Sequence, residues 1–378
     1  MSRAARRLPR RAILAGVAYV LVLAGAMALV AASCLAPERG SRLFDQGQEA
    51  KALPLLEQAA ARGSTAASRR LGVLLADGRF APRDEPRALA LLSFAAAKGD
   101  APAMVAAGDL TRSLSRDDAA AAALYEKAAG LGSVAAMTRL GVMRASGAER
   151  PTDFDAALAL LGRAAAAGSP QAATALGQTM LVLSQAGDPR GGTPQTAAGW
   201  FEKAAAAGDP EALTRLAELC ADGRGVPADP AKAAALRRRA AEAGHAPAAY
   251  DLGLMYLSGQ GVTAYPLEAA RLFERAAAAG HVPAMLQLGD MYFAGEGVFR
   301  DAARAVSLYD AAAAADDRAA GIACRVFAAG PEDRRDPARA ARYCGKAAEA
   351  GDETSAMLLG LGRSEERRGG KECRSRWS

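Results

Sequence analysis

Two histidines, His245 and His281, stand 36 residues apart, and three cysteines, Cys220, Cys324 and Cys344, lie in the same part of the chain. Imidazole and thiolate are the side chains that most readily ligate zinc, and a thiol beside a base can act as a nucleophile. Neither histidine has a regular Cys, Asp or Glu cluster around it in sequence, so a shared metal site is the weaker reading and a capping or loop role the stronger. Glycine pairs at Gly223 and Gly225, Gly259 and Gly261, and Gly295 and Gly297 could suggest phosphate loops. They lack the Lys-Ser/Thr ending, and helical patterns rather than strands precede them. Glycine is needed there for positive φ at a helix end. No nucleophile and base stand out as a pair, so the chain reads as non-catalytic, with no cofactor.

The elements that must position these residues follow from a repeat. Aligning QAAARG, which ends at Gly63, with its later copies places anchors at Gly63, Gly99, Gly132, Gly168, Gly208, Gly244, Gly280, Asp316 and Gly351, mostly 36 residues apart. A fixed period of this length marks a stacked array. Positions eleven, seven and four before the anchor carry alanine, a large apolar residue and alanine (Ala197, Phe201, Ala204; Ala269, Phe273, Ala276), one face of a helix. After the anchor comes a column of oxygen side chains and the two histidines (Ser64, Asp100, Ser133, Ser169, Asp209, His245, His281, Asp317, Asp352), suited to capping a second kind of helix. Proline at Pro102, Pro170, Pro210, Pro247 and Pro283 fits that helix's first turn. The helix then carries alanine four after the anchor, leucine eight after it and glycine nine after it, as in Leu252 and Gly253. Glycine inside a helix costs about 1 kcal/mol relative to alanine, so close approach of a neighbour is expected there.

On these columns, segments such as Leu252 to Gly280 and Leu288 to Ala315 resemble the Sel-one-like repeat, a relative of the tetratricopeptide repeat, over roughly residues 42 to 362. The resemblance implies an all-α, right-handed α-solenoid of antiparallel helix pairs acting as an adaptor. Ala217 and Arg325 depart from the mid-helix glycine, Asp316 from the anchor, and the second quarter lacks the GxGV turn. One interval is 33 residues and another 40, around Gln185 to Thr193. Those units are expected to pack less regularly, the longer one with an extended loop. The domain layout expected is therefore 1–36 as an export segment, 37–362 as eight hairpins with half units at the ends, and 363–378 as a separate tail.

Residues Arg3, Arg6, Arg7, Arg10 and Arg11 precede an uncharged stretch from Ala12 to Ala36, long enough to cross a bilayer with the arginines on the cytoplasmic side. Three readings stay open: a lipoprotein signal with Cys34 as the lipidated residue, an uncleaved signal anchor, and cleavage near Ser33. Each places the repeats outside the cytoplasm, on the periplasmic face of a bacterial envelope. The tail, RSEERRGGKECRSRWS from Arg363 to Ser378, has no alanine rhythm. It resembles the translation of a sequencing-library adapter with Gly369 in place of valine; the alternative is a native basic tail that binds an anionic surface.

The chain carries a net charge of +6, of which the tail supplies three and the export segment five, leaving −2 on the repeats. The repeats also lack a basic patch interleaved with aromatics, which argues against nucleic acid. Cys324 falls in a leucine column and Cys344 in the large apolar column of one hairpin; they are either a disulfide or two buried thiols. Cys220 is expected in the core.

What remains for function is surface. Seven residues after the anchor stand Arg70, Arg139, Arg215, Asp251 and Gln287, and ten after stand Asp109, Gln178, Glu218 and Asp290. These vary in charge while the packing columns hold constant. In relatives the first helices line the concave face, so these are the candidate partner-binding residues. Arg139 and Arg215 are candidates to receive an acidic peptide or an anionic polysaccharide. The expected role is a membrane-tethered envelope scaffold for other proteins; the alternative is a protein that binds envelope polysaccharide or peptidoglycan.

Overall fold

A computed structural model describes residues 39–147 and 152–360, and every regular element among them is helical. Cys34, the export segment and the tail lie outside the described residues. Two compact units are distinguished, Met1–Ala175 and Leu176–Ser378. In the first, α1 (Glu49–Ala61), α3 (Glu85–Ala97), α5 (Asp118–Gly130) and α7 (Phe154–Ala166) alternate with α2 (Thr65–Asp77), α4 (Ala101–Ser115) and α6 (Val134–Ser146). Helix α8 (Pro170–Gln185) crosses the division. The second continues with α9 (Pro194–Ala206), α10 (Pro210–Asp222), α11 (Pro230–Glu242), α12 (Ala246–Ser258), α13 (Pro266–Ala278), α14 (Val282–Ala294), α15 (Ala302–Ala315), α16 (Asp317–Ala329) and α17 (Pro337–Glu349). Even-numbered helices follow an anchor and are the first of each pair; odd-numbered helices are the second.

The boundaries come from the capping columns. Ser64, Asp100, Ser133, Ser169 and Asp209 each accept the backbone N–H three residues on. The anchor glycines close the second helices in the left-handed region, with φ of 83° at Gly63 and 87° at Gly244. Where Asp316 replaces the glycine its φ is −145°, and Asp316 itself caps α16 by accepting the Arg318 N–H. The cap therefore sits one residue earlier than the expected Asp317, because a residue that avoids positive φ cannot make the usual reversal.

The alanine columns are the seam. Ala197, Ala233, Ala269 and Ala305 are fully buried, as are Ala212, Ala248 and Ala284 facing them. Beside them the large column fills the hairpin: Phe273, Tyr309, Leu92 and Leu161 are each at most 1% exposed. Burial of one such side chain contributes about 1.5–3 kcal/mol. A Cβ added to Gly253 would lie 2.5 Å from Phe273 Cε1, and one at Gly108 2.6 Å from Tyr125 Cε1. The mid-helix glycine thus makes room for the large side chain of its own hairpin, a ring at these two and leucine opposite Gly72 and Gly141. Ala217 stands 20 residues before Arg237, whose guanidinium reaches Met255 and Asp251, and in the last hairpin the residue 20 before Cys344 is Cys324, so Arg325 lies outside this column and pairs with Asp352 at 3.7 Å.

The irregular intervals have simple causes. In the 33-residue unit α4 runs to Ser115 and turns directly on Arg116, at φ 52°, into the cap Asp117. In the 40-residue unit α8 is a turn longer and a 3-10 turn at Pro189–Gly191 precede the cap Thr193. In the second unit, basic residues five before the anchor reach back to the preceding second helix: Arg239 donates to the Ala205 carbonyl at 3.3 Å and Arg275 to that of Ala241 at 2.8 Å. Each bond adds a second donor to a carbonyl of the closing turn that already accepts the anchor N–H, Gly208 to Ala205 and Gly244 to Ala241.

Gly253→Ala is expected to destabilise the chain by about 1–3 kcal/mol, through the clash with Phe273. Ala217→Gly is expected to cost no more than about 1 kcal/mol, the propensity difference alone. Urea denaturation of both variants checks the contrast. Arg116→Gly should raise stability by about 0.5–1 kcal/mol in the same assay, by relieving a left-handed residue that carries a Cβ.

Candidate functional site

The histidines are helix caps. His245 Nδ1 accepts the Ala248 N–H and His281 Nδ1 the Ala284 N–H, each at 3.3 Å. His245 also has Thr214 Oγ1 3.2 Å from Nδ1 and Glu211 Oε2 3.4 Å from Nε2, which gives the residue types of a hydrolytic triad. The chemistry is absent from the geometry: Thr214 is buried, its hydroxyl donates to the Pro210 carbonyl at 3.0 Å, and Nδ1 is already occupied. A base must be free to take the nucleophile's proton. Cys220 is a free, fully buried thiol, and burial pushes its pKa up, away from the reactive thiolate. No group of His, Cys, Asp and Glu able to hold a metal occurs among the described residues.

The second glycines of the GxG turns serve contact between repeats. At Gly261, φ is 74° and an added Cβ would meet the Pro230 carbonyl oxygen at 2.3 Å. Gly225 and Gly297 abut Pro194 and Pro266 in the same way. The turn therefore fits over the first residue of the preceding second helix, a role for which no phosphate is required.

Cys324 on α16 and Cys344 on α17 are joined by a disulfide, with Cα atoms 4.8 Å apart and a sequence separation of 20. With the cap of this helix one residue early, Cys324 stands where the other hairpins have the mid-helix glycine, and the bond takes the place of the glycine-to-large-side-chain contact. Around it Phe327 lies 5.6 Å from the rings of both Tyr309 and Tyr343.

The charged columns are occupied by partners from within the chain. In the first unit Arg70 makes a two-pronged pair with Asp45, at 2.8 Å for Nη2 to Oδ2, and holds that carboxyl below its usual range. Asp109 accepts from the Tyr125 hydroxyl at 2.6 Å and from Arg139 Nε, 30 residues away, at 3.0 Å. In the second unit Gln178 donates to Glu211 at 3.1 Å, and Arg215 lies between Glu211 at 2.8 Å and Glu218 at 3.2 Å. Asp251 is 3.6 Å from Arg237, and burial raises its pKa against the pull of that arginine. Asp290 accepts from the Tyr309 hydroxyl at 3.0 Å and from Arg334 at 3.1 Å, while Gln287 is half-buried on α14. Burial first, then Asp290, pushes the Tyr309 phenol up, so it remains the donor.

Arg139 and Arg215 are thus matched by carboxylates and do not stand as open cations. Their pairs are between about a third and a half exposed, where an ion pair contributes about 0.2–1 kcal/mol and a ligand group can compete. The same ten-after-anchor column also holds exposed apolar residues that the charge pattern hid: Val73 and Val142 in the first unit and Leu254 in the second. Their position in the column was the signal; an apolar side chain on an alanine-rich helix reads as core. Each unit's first helices therefore display a mixed apolar and charged face.

A double-mutant cycle of Arg139→Ala with Asp109→Ala, read by urea denaturation, should give a coupling of about 0.2–1 kcal/mol, falling at high salt. Replacing Cys324 and Cys344 together by alanine is expected to cost about 3 kcal/mol on the chain-entropy account of a loop of this length. The thermal midpoint of oxidised and reduced protein offers an independent check.

No curated protein significantly matches the chain. Among solved structures, the chain is similar to c5321, a protective antigen with an SLR fold present in uropathogenic Escherichia coli strains. Identity is 26% and the TM-score 0.53, over 82% of this chain and 66% of that one, so the chain spans just under two thirds of c5321. It is also similar to a Sel1 repeat protein from Oxalobacter formigenes, at 28% identity and a TM-score of 0.56, over 81% of this chain and 89% of that one. The Sel1 repeat model matches residues 65–100, 101–133, 134–169, 170–209, 210–245, 246–281, 282–317 and 327–352. The chain belongs to the Sel1 repeat family.

Proposed function

We propose that this chain is a non-catalytic scaffold of the bacterial cell envelope that binds other proteins on the exposed faces of its first helices. Sel1 repeat proteins generally mediate protein–protein interaction. The observation that carries the reading is the mixed face itself: Val142 beside the Arg139–Asp109 pair in one unit, and Leu254 beside Asp251 in the other, on helices whose opposite faces are fixed by packing. An apolar centre with exchangeable charge pairs at its rim is the composition of a protein interface. Export is supported by the arginines ahead of the uncharged stretch Ala12 to Ala36 and by the Cys324–Cys344 disulfide, which suits an oxidising compartment. Tethering by Cys34 lipidation or by an uncleaved anchor both fit this reading.

The test is a pull-down of the full chain from detergent-solubilised envelopes, with mass spectrometry of co-purifying proteins and of the mature N-terminus. A defined protein set, depleted about tenfold by Arg139→Glu with Arg215→Glu, is the expected result; that loss corresponds to about 1.4 kcal/mol. Recovery of polysaccharide or peptidoglycan without protein would contradict it.

A further inference from the structure

His245 and His281 are the only histidines in the chain, and both close the N-terminus of a first helix, α12 and α14, in consecutive repeats. A backbone N–H can only donate, so Nδ1 of each ring must carry its lone pair for the caps at Ala248 and Ala284 to exist. Protonation turns that acceptor into a donor and sets a cation against the positive end of the helix dipole. The other repeats use Ser or Asp in this column, which do not respond in this way near neutral pH.

The two rings have different surroundings. His245 faces Thr214 and Glu211 from α10, the latter also paired to Arg215. His281 faces Tyr250 from α12, with ring centroids 5.0 Å apart, and Asp251, itself beside Arg237 of α11. His245 adds like charge to it. The first turn of α14 holds no titratable group. Burial lowers the His281 pKa, with Asp251 opposing.

We propose that His245 and His281 form an acid-sensitive joint in the second unit: imidazolium formation uncaps α12 and α14 and loosens the helices that display Asp251, Leu254, Gln287 and Asp290. The unfolded chain takes up the proton more readily than folded His281. The stabilisation is therefore complete above about pH 6.5, the ordinary histidine value, and is lost as pH falls below it towards the folded value.

The experiment is amide hydrogen exchange on the full chain between pH 8 and pH 5, corrected for the intrinsic rate. Protection at Ala248 and Ala284 should fall, that at Ala284 by up to about tenfold per pH unit. In His245→Ser with His281→Ser it should stay level, since serine caps this column at Ser64 and Ser133. Asp251→Asn should keep the loss. Equal loss in the serine variant, or a loss abolished by Asp251→Asn, would overturn the proposal. Should the serine variant fold poorly, the two imidazole proton resonances of the unmodified chain decide: titration of His281 below pH 6.5 supports the joint, and titration of both rings at or above it refutes it.

Discussion

Everything in this structure depends on how closely two helices can approach along a seam of alanine. With Ala269, Ala276 and Ala284 fully buried, the backbones come close along the seam, and the large side chains pack beside it. Such a side chain needs glycine opposite: Phe273 lies where a Cβ on Gly253 would be. Packing at interior density leaves no slack, so a change on one side demands a change on the other. The pairings Ala217 with Arg237 and the Cys324–Cys344 bond are two such joint changes.

The seam also leaves the outer faces as the surface on which the proposed function rests. One face of each first helix is committed to alanine, leucine and glycine, and its N-terminus to a cap, so the groups with chemical potential are spent on structure. His245, Thr214 and Glu211 have the composition of a catalytic site and the connectivity of a helix terminus. The remaining positions seven and ten after the anchor lie outside the packing columns, most of them half-buried, and differ between repeats. Repeat architecture thereby separates a conserved packing rule from a variable surface within one sequence.

Period, capping column and mid-helix glycine were legible in the sequence because each is a local requirement that recurs at the same offset. The reason for the glycine was legible only in part: a close neighbour was expected, but that it is the large side chain of the same hairpin needs the packing. The shift of the cap from Asp317 to Asp316 was hidden because both are aspartates, and only the φ of Asp316 distinguishes them. The charge columns misled in a different way. Arg139 reads as an available cation, yet its partner Asp109 lies 30 residues back, a separation that a linear pattern does not connect until the repeats are stacked. Val142 and Leu254 were passed over because an apolar residue carries no sign of which side of a helix it occupies.

The central claim is that first-helix faces, and not second-helix faces, meet the partner. A photo-crosslinking amino acid placed at 142 or 254, on first helices, or at 238 or 271, exposed on second helices, tests it in cells that make the full chain. The account predicts discrete protein adducts from 142 and 254 and none from 238 and 271. Adducts from 238 and 271, with none from 142 and 254, would contradict it.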